Sequence, residues 1–341
     1  MMLKTGSAAA AIAVALMAAT AAPAFAEDAA TTCGTDRTID IAEMTWPSAA
    51  ALAHIHATIL DKGFGCNVEI VTGDTVPTSS SMMARGKPAV APELWTSAME
   101  EPWAKGIADG KVVDLADAIT DGTVEGWFIP AYTQKAHPEL VTVQDVVDHP
   151  ELFADPEQAD KGRLYSCPPG WACEISTQAL FDAYDMDATW NLFSPGSGGA
   201  LDASIARAFT REEPILFYYW GPTSILGKYD AVMLDMGPAD KEVYACNTSA
   251  DCDKPAGKTA YPSSPAVIGA AAWLPEEAPD VAAYFAKTGL TNAEISELLV
   301  YGDENQADAA ATANNFLKTK QDTWTKWVPA DVADKVIASL G

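Results

Sequence analysis

A doubly wound α/β fold in two domains is predicted by three observations: a strand-helix-strand opening, the repetition of that pattern along the chain, and a length of 341 residues. The opening unit begins with Ile39-Asp40-Ile41-Ala42, which alternates as a half-buried strand does. A helix follows from Ser48, its cap, to Lys62, with Gly63 as its stop, and Asn67-Val68-Glu69-Ile70-Val71 is the next strand. The alternation continues with a helix over 79–85, a strand over 88–95 and a helix from Ser97 that Pro102 starts or kinks. Gly126 to Tyr132 is an apolar strand ending at the polar stretch Thr133 to Glu139, where the chain crosses to a second lobe. That lobe holds a short helix from Thr142, a strand at Arg163 to Ser166, helices at Ile175 to Tyr184 and Gly199 to Thr210, and strands at Ile215 to Trp220 and Ala231 to Met236. Ala266 to Trp273 is a return strand, and three helices close the chain, the second opening on the capping box Thr291-Asn292-Ala293-Glu294. Residues 27–132 and 265–341 are thereby assigned to lobe I and 133–264 to lobe II.

Residues 1–26 have the pattern of a secretory signal: Lys4 as the one charge, an apolar core from Ala8 to Ala19, and the small-x-small site Ala24-Phe25-Ala26. No Cys follows the core at a lipoprotein cleavage position, so a freely diffusing periplasmic monomer is expected. No later apolar stretch approaches the ~20 residues that span a bilayer. With 47 acidic against 21 basic side chains the formal net charge is −26, which disfavours nucleic acid as a partner. Six cysteines in an exported chain point to disulfides. Fifteen pairings are formally open; nearness in sequence selects Cys167 with Cys173 and Cys246 with Cys252, leaving Cys33 with Cys66.

Four of the ten tryptophans, Trp46, Trp95, Trp171 and Trp220, fall at the carboxyl ends of expected strands or in the loops just after them. Ligands of open α/β sheets bind at that edge. Two of the four belong to each lobe, so a cleft between lobes has aromatic walls on both sides. Core packing accounts for the other six. A trimethylammonium group has no N–H to donate, and its charge, spread over methyl groups, suits the negative face of an indole at roughly 0.5 to 2 kcal/mol per contact. Several such contacts bring a small cation to about −8 kcal/mol, or micromolar affinity.

Enzyme chemistry finds little support. His54 and His56 are two apart on a helix and point in different directions, and His137 and His149 adjoin prolines with no nucleophile motif near them. Neither close cysteine pair has metal-binding spacing, and no cofactor is expected. Asp155, Glu157 and Asp160 are weak calcium candidates whose spacing departs from the EF-hand loop, a solvated acidic turn being the simpler account.

At Cys167-Pro168-Pro169-Gly170-Trp171-Ala172-Cys173-Glu174, with Tyr218 to Pro222 and Leu94-Trp95-Thr96, the sequence resembles the periplasmic glycine betaine/proline betaine-binding proteins of ABC importers. The resemblance covers most of the chain. It implies a two-lobed periplasmic binding protein (type II-like) with a hinge, an interlobe cleft and a membrane permease as partner. It places box tryptophans on Trp95, Trp171 and Trp220, the family disulfide on Cys167 and Cys173, and carboxylate-holding backbone N–H groups on Ala172 and Cys173. Two departures bear on the ligand. Met99 stands where the family's betaine binders have a carboxylate-gripping His, and Trp46 is an added wall. Glu93, two residues before Trp95 on a strand, is expected to face the ligand with that indole, and Glu43 is a second acid near Trp46. An acid in the box repels a carboxylate and favours a ligand with a short hydrogen-bonding oxygen. Trimethylamine N-oxide is the expected ligand on that ground, with choline and glycine betaine as alternatives. The alternative of another class is an exported enzyme acting on methylated amines.

Overall fold

In a computed structural model, residue 2 and residues 32–263 and 265–341 are described; apart from residue 2, the segment 1–26 expected to be a secretory signal lies outside them. Among the described residues, eleven strands make two sheets within one unit formed by residues 31–341. The first sheet contains β1 (Ile39–Met44), β2 (Val68–Gly73), β3 (Val90–Trp95) and β4 (Val112–Asp117). The second is built from β5 (Val124–Pro130), β6 (Ala154–Asp155), β7 (Gln158–Tyr165), β8 (Trp190–Phe193), β9 (Leu216–Gly221) and β10 (Ala231–Met233), after which β11 (Ala266–Ala271) returns to the first. The strand orders are β2-β1-β3-β11-β4 and β10-β5-β9-β7-β6, with β8 on β7. β1 is parallel to β2 and β3, and β7 is parallel to β8 and β9, as strand-helix-strand units require.

Expectation and structure part at the crossover. Residues 124–130 pair with β9 and β10, so the chain leaves the first sheet after β4 rather than after residue 132. An apolar strand carries no label for its sheet; the hydrogen-bonding partner decides. β7 also starts earlier than expected, because its polar half, Gln158 to Lys161, turns back against β6. β8, four residues long, gave no periodic signal.

The first helix, Pro47–Thr58, begins with Trp46 at its N-cap and Pro47 at its first position, so Ser48 is not the cap. The helix runs on as a wider turn, Ile59–Phe64, to Gly65, whose φ of 72° ends it. Gly63 has a different role from the expected stop. A Cβ there would lie 2.6 Å from Val332 Cγ1, so its absence lets the C-terminal helix Ala330–Ser339 lie against this turn. The Thr291 capping box forms as expected, Glu294 Oε2 accepting from Thr291 N at 2.9 Å while Thr291 Oγ1 accepts from Glu294 N at 3.3 Å. Disulfides join Cys33 to Cys66, Cys167 to Cys173 and Cys246 to Cys252. Among the described residues no helix is long and apolar enough to cross a membrane.

His56 lies in the core of the first lobe, its Nδ1 2.6 Å from the Tyr284 hydroxyl and its ring 5.0 Å from that of Phe285. Burial pushes its imidazole down to about 3. The folded protein therefore keeps it neutral where the unfolded chain, below its ordinary 6.5, takes up a proton. Its contribution to stability is constant above 6.5 and falls as pH drops from there towards 3, by at most about 1.4 kcal/mol per unit. In thermal melts between pH 7 and 4, His56→Gln is expected to lose less Tm than the wild type. Parallel losses would contradict this role for His56.

Candidate functional site

The four tryptophans at strand ends converge. Trp46, Trp95, Trp171 and Trp220 line one cavity, and none is more than 9% exposed. Trp171 is central: its ring centroid is 5.2 Å from Trp46 and 5.1 Å from Trp220, at interplanar angles of 72° and 82°. Such edge-to-face contacts are favoured by the aromatic quadrupole and turn neighbouring faces around a common space. The space between them, partly open to solvent, is about 20 Å³, on the order of what one or two waters occupy. Trp127, expected in the core, is fully buried with its N–H on Tyr261 Oη at 3.1 Å.

Local chemistry fixes each wall. Trp46 caps the first helix directly after β1, and Trp95 ends β3, so parallel strands carry both to one edge. Trp220 is near the end of β9, which runs parallel to β7. Trp171 is the N-cap of the helix Ala172–Ala183. The Cys167–Cys173 disulfide ties the loop before it to the first turn of that helix. Gly170 supplies the positive φ, 89°, that turns the chain there, and its carbonyl accepts from Val76 N at 3.1 Å. The Trp171 indole N–H donates to Thr45 Oγ1 at 2.9 Å and Asp74 Oδ1 at 3.0 Å, binding a second-lobe wall to first-lobe acceptors.

The polar lining comes from Thr75, Ser97, Glu125 and Tyr218, with Ala172 and Cys173 completing it. Ala172 and Cys173 open a twelve-residue helix, whose first N–H groups have no intrahelical partner and attract negative charge. Glu125 was not foreseen. It sits in β5 opposite Trp220 of β9, its Oε1 accepting from Tyr218 Oη at 2.5 Å and its Oε2 from Ser97 Oγ at 3.4 Å. Burial pushes this carboxyl up to about 6 against the pull of those hydroxyls. Its one sequence signal is being the lone acid in the apolar run Val124 to Pro130; the partner strand that aims it is far off in the chain.

The two acids expected to face the ligand do not line the cavity. Glu93 lies beneath it, fully buried, accepting the indole N–H groups of Trp46 and Trp95 at 2.7 and 2.9 Å. The strand alternation did bring it to Trp95, but to the ring's N–H edge. Burial raises its carboxyl while the donors from Trp95, Trp46 and Ser48 oppose the rise. Glu43 is 3.6 Å from His54 and lines a separate open groove of about 600 Å³. Met99 is covered by Ser79, whose Oγ lies 3.4 Å from its Sδ.

The acidic turn also differs from its calcium reading. Asp155 is buried in an ion pair with Arg163 at 2.5 Å and accepts from Asn191, while Glu157 lies 3.4 Å from the same guanidinium. An internal cation thus takes the charge offered to a metal. Among the described residues no group of three or more His, Cys, Asp or Glu side chains is placed to hold a metal ion.

Comparison with known proteins gives a consistent picture. Residues 37–319 match the family model described as the substrate binding domain of ABC-type glycine betaine transport system. The glycine betaine/proline betaine-binding periplasmic protein of Escherichia coli K12 is 24% identical over 223 residues, or 61% of this chain. That match spans 64% of the relative's own length, under two thirds of it. The crystal structure of a glycine betaine, L-proline-binding ABC transporter protein from Borrelia burgdorferi superposes with a TM-score of 0.70 at 18% identity, covering 88% of this chain and all of that one. An ABC-transporter choline-binding protein in complex with choline reaches the same TM-score at 18% identity, covering 91% and 99%. At these identities the structural likeness establishes the two-lobed α/β fold.

Proposed function

We propose, since this chain belongs to the substrate-binding domain family of ABC-type glycine betaine transport systems, that it captures a small methylated ammonium compound in the periplasm and delivers it to the permease of an ABC importer. The family consists of transport binding domains, not enzymes, which removes the alternative of an exported amine-processing enzyme. The observation that carries the reading is the convergence of Trp46 and Trp95 with Trp171 and Trp220 on one cavity between the two sheets. Indole faces on several sides of a permethylated nitrogen supply attraction that a hydrated ammonium would not need. Contacts from both lobes are made together only when the lobes are closed, so binding shifts the protein to the closed form.

Trimethylamine N-oxide is the ligand this lining suits best. The cavity as it stands is smaller than any of these ligands, so the walls must part to admit one, and trimethylamine N-oxide, the most compact of the three, asks for the least widening. Its single oxygen can meet the N–H groups that open the helix Ala172–Ala183 and share a proton with Glu125, which at about 6 is close to neutral conditions. Glycine betaine would set a carboxylate against Glu125, an unfavourable like-charge contact. Choline, with a hydroxyl to donate, is the second reading, because an ionised Glu125 can accept from it.

Intrinsic tryptophan fluorescence of the purified protein, titrated with trimethylamine N-oxide, choline and glycine betaine, tests both levels. Micromolar binding strongest for the N-oxide is expected. No binding of any of the three overturns the class, and tighter binding of glycine betaine overturns the choice within it. In the same assay Asp74→Ala is expected to weaken binding by about tenfold, the order of a hydrogen bond to a charged group with Thr45 remaining as a partial substitute. An unchanged Kd would show that the bond from Trp171 to Asp74 does not hold the wall.

A further inference from the structure

Glu93 is more than a filler beneath the box. Three donors converge on one of its oxygens: Trp46 Nε1 at 2.7 Å, Trp95 Nε1 at 2.9 Å and Ser48 Oγ at 3.1 Å, all to Oε1. They come from two segments, the end of β3 and the turn into the helix Pro47–Thr58, so one atom fixes the relative planes of two walls. The other oxygen, Oε2, is buried without a hydrogen-bond partner, and the residue has no solvent exposure. A carbonyl or an amide oxygen would satisfy the same three donors. A carboxyl in a dry place with one oxygen unpaired is driven towards its neutral form, and burial does raise this one; an opposite charge brought close to it reverses that preference and favours the ionised form. The cavity supplies that setting: the N–H edges of Trp46 and Trp95 point at Glu93 while their rings line the space above. An indole donating to an anion is polarised so that its face becomes more negative, which strengthens its attraction for a cation.

We infer that Glu93 is a positioning residue of the box that fixes Trp46 and Trp95 through one shared oxygen, and that it supplies the buried counter-charge for the ligand's ammonium group from behind those two rings. The inference rests on the ligand class proposed above. Glu125 addresses the ligand's oxygen from within the cavity; Glu93 addresses its nitrogen through the aromatic layer.

Glu93→Gln keeps an acceptor for the three donors and removes the charge. Calorimetry compares wild type and variant on a methylated ligand and its uncharged carbon isostere: trimethylamine N-oxide with tert-butanol, and choline with 3,3-dimethylbutan-1-ol. Glu93→Gln is expected to lose tenfold or more in affinity for the ammonium ligands and less than twofold for the isosteres; Glu93→Asp, retaining charge, should recover part of that difference. Equal losses for both members of a pair, or no loss, overturn the inference. Absence of ligand binding by the wild type instead overturns the class reading. Should Glu93→Gln not fold, indole ¹H–¹⁵N spectra of the wild-type protein decide. The Trp46 and Trp95 N–H signals are expected to exchange slowly and to shift together on ligand addition; exchange as fast as that of an exposed indole overturns the shared-oxygen arrangement.

Discussion

Trp171→Ala is expected to weaken binding of the methylated ligand by at least tenfold, about 1.4 kcal/mol, measured by calorimetry on a variant whose Tm stays near that of the wild type. The position is exceptional because the ring touches two other walls, with centroids 5.2 and 5.1 Å from Trp46 and Trp220. Truncation removes one cation–π face, roughly 0.5 to 2 kcal/mol, and also opens the space that kept water out. It further deletes the N–H that reaches from the second lobe to Thr45 and Asp74, so the closed form loses an interlobe bond. Trp220→Ala should produce a loss of the same order through its own face and its contact with Trp171. Unchanged affinity in both variants would refute the box.

The second large effect concerns Glu125, and its pH dependence separates the two leading ligands. Burial holds this carboxyl at about 6, above its ordinary 4.5, so in the free protein it ionises across the neutral range. In the complex proposed for trimethylamine N-oxide, one proton is shared between the ligand's oxygen and Glu125. Above pH 6 the complex must take that proton up, and affinity should fall with a limiting slope of about tenfold per pH unit. Choline, a cation with a donor, prefers the ionised carboxylate, and its affinity should rise through the same interval and level off above it. Glu125→Gln is expected to flatten either profile, and Glu125→Ala to cost on the order of tenfold to a hundredfold, as losing a hydrogen bond to a charged group does. Kd measured from pH 5 to 8 for wild type and Glu125→Gln gives the answer. A profile with the same slope in both would remove Glu125 from the ligand's oxygen.

Much of this molecule is legible from local pattern. The opening strands and helices, the return strand β11, the capping box at Thr291 and the disulfide-framed loop bearing Trp171 each depend on residues within one or two turns of chain. The four strand-end tryptophans were identifiable for the same reason: a strand's carboxyl end is readable locally, and parallel neighbours bring such ends to one edge. The helix stop at Gly65 rather than Gly63 was not readable, since Gly63 answers to Val332 and Val336 of the distant C-terminal helix.

By itself, the sequence determined the α/β class, the family's Gly-Trp block and the identity of the four aromatic walls, because periodicity and short motifs act over a few residues. Tertiary structure alone decided which acid meets the cavity. Register between β5 and β9 sets Glu125 opposite Trp220, and the converging N–H edges of Trp46 and Trp95 draw Glu93 behind the walls instead of between them. Strand alternation tells which face of a sheet a carboxylate occupies. Which side of an indole it reaches depends on hydrogen-bond partners that only the folded chain assembles.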